Sequence, residues 1–125
     1  MKITLISAER AYRATETLAG QLLPFRIAKA ICDNRKVLKD QTEFLITEEQ
    51  KLVETYGAES QNGTAFKVEG DEDRNREFIQ KMRELHEMEI DIRITPIPEE
   101  ALFASAKIRP SEFDDIRFML TNEEE

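Results

Sequence analysis

The chain has 125 residues, and its 18 Lys and Arg against 26 Asp and Glu leave a formal net charge of −8. Leu, Ile, Val and Phe together number 32, just over a quarter of the chain, whereas disordered polyelectrolytes fall below roughly 20%. One cysteine, Cys32, excludes an internal disulfide, no apolar run nears the roughly 18 residues of a membrane span, and no secretory signal stands out, so a cytoplasmic location is expected.

This composition predicts one domain over residues 1–120 with an acidic tail at 121–125. Charge is unevenly placed within it. Residues 1–40 hold eight bases and four acids, net +4, and residues 41–125 hold ten bases and 22 acids, net −12. The simpler expectation is that the two parts complement each other in the fold. The sharper one is an acidic surface that repels nucleic acid and attracts a basic partner. Arg74 and Arg76, inside the most acidic run, weaken the sharper one.

In chain order, Lys2 to Ile6 reads as a short strand and Ser7 as the cap of an amphipathic helix, with Ala8, Ala11, Thr15, Leu18 and Leu22 on one face before Pro24. After Pro24, Ile31, Leu38, Leu45 and Leu52 recur every seven residues, beside a second row of Ala30, Val37 and Phe44. Gly57 is the expected stop. Unbroken from Phe25 to Tyr56, such a helix would run nearly 50 Å at about 1.5 Å per residue, while a compact chain of this length has a radius of gyration of roughly 14 Å. It must therefore break, with Thr47 and Gln50 spaced to restart it, or project against another chain. Asn34 and Gln41 fall within the apolar arc. They are expected either at its wet edge or paired across a dimer, so Ile31, Asn34, Leu38, Gln41, Leu45 and Leu52 form the candidate oligomer interface.

Glu59 to Gly63 reads as a loop with an Asn62-Gly63 turn, followed by a strand with Thr64, Phe66 and Val68 on one face. Asp71 or Asp73 is expected to cap a helix with Phe78, Ile79, Met82, Leu85 and His86 inward. Ile90, Ile92 and Ile94 then alternate as a half-buried strand closed by Pro96. The passage from Thr64 to Thr95 is long enough for a right-handed parallel crossover, with an antiparallel arrangement as the alternative. Pro98 suits the first turn of a short helix, and Ser111 with Asp114 opens a last one carrying Phe113, Ile116, Met119 and Leu120. The fold class is α+β: a helical pair with one long helix, on a small two- or three-stranded sheet, plus further helices.

Chemistry is sparse. His86 has no Cys or Ser partner nearby and reads as a packing or surface residue. Cys32 has no fixed base to activate it. Asp71, Asp73 and Asn75 match the first positions of a calcium loop, but Arg76 stands where glycine is needed and Met82 where the bidentate glutamate is needed. No catalytic residue, metal site or cofactor is expected. The bases Arg26, Lys29, Arg35, Lys36 and Lys39 suggest phosphate contacts, but Asp33 and Asp40 interrupt them and the pI is about 4.8, so nucleic-acid binding is not expected.

The order of elements carries one resemblance. A short strand, the Leu22-Leu23-Pro24-Phe25-Arg26 join, a long helix ending Glu49-Gln50-Lys51-Leu52-Val53-Glu54-Thr55-Tyr56-Gly57, the Asn62-Gly63 turn, and Phe78 to Leu85 leading into Ile90-Asp91-Ile92 together resemble a family of short, acidic, uncharacterised proteins of tailed phages and prophages of Gram-positive bacteria. The resemblance implies a phage accessory protein acting in the bacterial cytoplasm or in virion assembly. The expected function is then non-enzymatic: a homodimer that binds a host or phage protein, as an inhibitor of a bacterial defence system. A structural or assembly role in the phage tail is the first alternative. The second is sequestration of a nucleotide signal, for which Arg93, Phe103 and Arg109 are the candidate ligand residues.

Overall fold

A computed structural model describes residues 1–61 and 65–122. The expected Asn62-Gly63 turn, Thr64 and the last three residues of the acidic tail lie outside the described residues. Strand β1 (Lys2–Thr4) leads into α1 (Leu5–Ala19) and then α2 (Phe25–Tyr56). Next come β2 (Glu59–Gln61), β3 (Ala65–Lys67), α3 (Glu72–His86) and β4 (Glu89–Asp91). The chain continues with β5 (Ile97–Pro98), α4 (Glu99–Ser105), α5 (Pro110–Ile116), a 3-10 turn (Arg117–Met119) and β6 (Leu120–Thr121). This is an α+β fold built on a helical pair.

The helix start differs from expectation. Thr4 caps α1, its hydroxyl accepting the Ser7 N–H at 3.2 Å, because the strand ladder ends at Thr4 and the Leu5 N–H is already donated to the Met88 carbonyl. Among the described residues, three separate two-stranded sheets replace the single sheet that was expected. β4 pairs antiparallel with β1, with Ile3 opposite Ile90, so the parallel crossover from β3 does not form. The presumed loop at Glu59 is instead a strand, antiparallel to β3. Among the described residues only Ile97–Pro98 and Leu120–Thr121 run parallel.

Helix α2 is continuous over 32 residues, about 48 Å at about 1.5 Å per residue. It neither breaks at Thr47 nor leaves its second half bare, because two cores share it. The larger core sets Ala8, Ala11 and Leu18 of α1 against Ile27, Ile31 and Leu38, and is closed by Ile92, Ile97, Leu102, Ile116 and Met119. The smaller gathers Ala58, Val68 and Phe78 under Leu52, Val53, Tyr56 and Met82. A strict seven-residue repeat drifts by about 20° per heptad around a straight helix. Accordingly Ile31, Leu38 and Leu45 are fully buried, whereas Leu52 is half-buried and Phe44 of the neighbouring row is exposed.

Local chemistry ends α2 where expected. Gly57 takes a φ of +67°, which L side chains adopt only at a cost. The Gly57 and Ala58 N–H groups return to the Glu54 and Val53 carbonyls at 3.3 and 2.9 Å, a Schellman closure whose flanking Val53 and Ala58 both join the smaller core. Arg74 then donates to the Tyr56 and Thr55 carbonyls at 3.1 and 2.6 Å, placing a cation at the negative end of the helix. Asp71 caps α3 by accepting the Arg74 N–H at 3.0 Å. Helix α3 lies shallowly, since of its five expected inward residues only Phe78 is buried and Ile79 is exposed.

The expected polar layer of the long helix is intramolecular. Asn34, only 1% exposed, accepts the Thr95 N–H at 2.7 Å and donates its amide to the Thr95 carbonyl at 2.9 Å. It substitutes for a neighbouring strand and holds the extended segment after β4 on α2. Gln41 is half-buried, and Ile31, Leu38 and Leu45 are spent in the chain's own interior. The candidate dimer stripe is thus largely consumed within one chain.

Asn34→Ala removes both partners of the Thr95 backbone and should lower unfolding free energy by about 2 kcal/mol in urea denaturation, with Gln41→Ala nearly neutral. In the smaller core, the Tyr56 hydroxyl donates to Glu77 Oε1 at 2.8 Å, and this hydrogen bond, followed by burial, holds the phenol above the usual tyrosine value. That contribution to stability is present below the ordinary tyrosine pKa and is lost as pH rises through the raised one. Absorbance titration should show one phenol moving back down in Glu77→Gln, and an unchanged curve would contradict the assignment.

Candidate functional site

The turn between α1 and α2 carries the two most exposed large apolar side chains of the described residues: Leu22 at 95% and Phe25 at 89%. Both belong to the Leu22-Leu23-Pro24-Phe25 join. Leu23 turns inward at 6% exposure and enters the larger core, and Pro24, with φ −52°, starts α2 without a side-chain cap. Burying Leu23 pins the turn, and the residues on either side of it are thereby directed into solvent.

Beside this turn, α1 and α2 diverge around a groove of about 330 Å³. Leu18, Ala19, Leu23, Ala28 and Ile31 form its apolar end, next to the exposed pair. Arg35, Lys36 and Lys39 form the other end, and among the described residues no acid lines the groove. Arg35 is held in place, its guanidinium 4.6 Å from the centre of the Tyr12 ring and donating to Thr15 Oγ1 at 3.3 Å. Thr15, fully buried, in turn donates to the Tyr12 carbonyl at 2.8 Å. Lys39 lies 3.9 Å from Glu43. Lys36 is exposed and makes no ion pair among the described residues. Cys32, also exposed, lines the same groove.

A second, larger groove of about 1020 Å³ lies across α2, where the segment from Asp91 to Pro96 and the chain at Phe118–Thr121 approach it. Its charges are mostly matched. Lys29 bonds Asp33 at 2.6 Å, and that hydrogen bond raises the lysine pKa; the Met1 amine bonds Asp91 at 2.9 Å.

The ligand candidates separate. Arg93 lines the larger groove, but Phe103 and Arg109 do not. Phe103 instead meets Phe113 at 5.1 Å between ring centres, with Arg117 over the Phe113 ring. The Arg109 backbone N–H donates to Glu112 at 3.1 Å at the start of α5. Closeness in sequence did not become one site, because α4 and its following turn carry Phe103 and Arg109 away from the extended segment.

His86 Nε2 lies 2.8 Å from Glu49 Oε2, joining α3 to α2. Asn75 Oδ1 accepts the Val68 N–H at 2.9 Å, so the residues resembling a calcium loop are engaged in shaping the entry to α3. Among the described residues no helix is long and apolar enough to cross a membrane. The sequence signal for this surface lies in the join: Leu22 fits the face of the first helix and Phe25 the start of the second, yet with Leu23 buried both stand in solvent. No protein-family model, curated protein or solved structure matches this chain.

Proposed function

We propose that this chain is a non-enzymatic accessory protein of a phage or prophage that acts by docking a host or phage protein, in the role of an inhibitor of a bacterial defence system. The supporting observation is the exposure of Leu22 and Phe25, 95% and 89%, beside an apolar groove with a basic end. Two large apolar side chains in solvent at a pinned turn have a free-energy incentive to be covered. The basic end supplies orientation and selectivity, since charge matching steers association and penalises wrong partners. The phage setting rests on the resemblance in element order.

The tail-assembly reading draws on a different observation. The net +4 of residues 1–40 and net −12 of residues 41–125 make different parts of the chain complementary, and repeated head-to-tail contacts are one way such a subunit assembles.

Paired capture from a bacterial lysate tests the docking reading. Leu22→Ser combined with Phe25→Ser should keep the fold, changing stability by about 0.5 kcal/mol or less per exposed site, while losing most of any partner that the unaltered chain retains. A partner held equally by both proteins would place the interface elsewhere and overturn the reading.

A further inference from the structure

We infer that the groove between α1 and α2 seats an acidic amphipathic helix of the partner, an inference that rests on the docking function proposed above. Three features of the groove point to that occupant. The first is its shape. Its α2 wall runs through Ala28, Ile31, Arg35 and Lys39, one face of about three turns and roughly 16 Å, longer than the roughly 10 Å between the i and i+7 anchors of a docked helix.

The second is its polarity. The apolar end adjoins Leu22 and Phe25, so an occupant's apolar side chains gain contacts both inside the groove and on its lip. The third is charge. Among the described residues the opposite end has three bases and no acid in its lining; Lys39 lies 3.9 Å from Glu43, and Lys36 has no ion-pair partner. Covering that ammonium with apolar surface alone would strip its hydration without replacement; a carboxylate on the incoming helix replaces it. A basic helix would be rejected by the same three cations.

Cys32 supplies the readout, because it is the only cysteine, is exposed and lines the groove. Its alkylation rate by iodoacetamide reports occupancy of the groove in the intact protein. The probe is a synthetic helical peptide of about 18 residues, roughly five turns, whose docking face carries leucine along one half and glutamate along the other. A control peptide carries lysine in place of every glutamate. The acidic peptide should slow alkylation about tenfold when present at about ten times its dissociation constant. Lys36→Glu with Lys39→Glu should weaken its binding by about tenfold or more, measured as the ratio of rates with and without peptide.

Equal protection by the lysine peptide, or none by the acidic one, overturns the inference. So does protection by a DNA duplex, which would make the basic end a phosphate contact. A rate that falls with the protein's own concentration would put a second copy in the groove and also overturn it. The two proposals fail separately. If the peptide does not bind while the Leu22 and Phe25 variant still loses its captured partner, docking stands and the helical occupant falls. If capture ignores that variant, the docking surface itself falls.

Discussion

The length of α2 governs the rest of this structure. A helix of 32 residues is longer than one hydrophobic core of a chain this size can cover, and an uncovered apolar stripe would be unstable in water. Two cores on one spine resolve that conflict. The first half of α2 is buried by α1 and the segments after β4, and the second half by α3 and the chain around Val68. The helix end joins the two requirements: Gly57 turns the chain back, and Arg74 holds the last carbonyls while its own guanidinium lies 5.1 Å from the centre of the Tyr56 ring.

Within the larger core, Asn34 has a role that no apolar residue could fill. The extended segment after β4 has outrun its strand partner, and its backbone still needs donors and acceptors. The Asn34 amide offers both in the geometry of a neighbouring strand, at 2.7 and 2.9 Å from Thr95. With that segment fixed on one side of α2 and α1 packed on another, the helix surface carrying Cys32, Lys36 and Lys39 receives no further cover from the described chain. The groove at that surface is therefore a consequence of how the core is closed. Its basic end follows from the same residues that give the first 40 positions their net +4.

Much of the fold was legible in local pattern. The seven-residue recurrence from Ile31 to Leu52, Gly57 as a stop and Asp71 as a cap all depend on neighbours within a turn or two, and all stand in the structure. Strand pairing was less so. Ile90, Ile92 and Ile94 alternate as a strand should, yet the ladder with β1 covers only Glu89–Asp91, because Lys2 stands opposite Asp91 and Ile92 bonds Met1, leaving no β1 residue opposite Ile94. The candidate site was the least legible part. Leu22 fits the helical spacing of α1 as well as Leu18 does, and only the inward turn of Leu23 leaves it in water.

The sequence by itself determined the helical pair, the start and the stop of its second member, the α+β class and the uneven charge, since periodicity, capping and composition act over short distances or over the whole chain. Tertiary structure alone decided that a chain of net charge −8 has a groove lined by three bases and, among the described residues, no acid, that Asn34 faces Thr95 and not a second chain, and that Leu22 and Phe25 stand exposed. Each of these depends on which of several competing surfaces covers a given face of α2. That choice is made by contacts between residues far apart in the chain, about which local spacing carries no information.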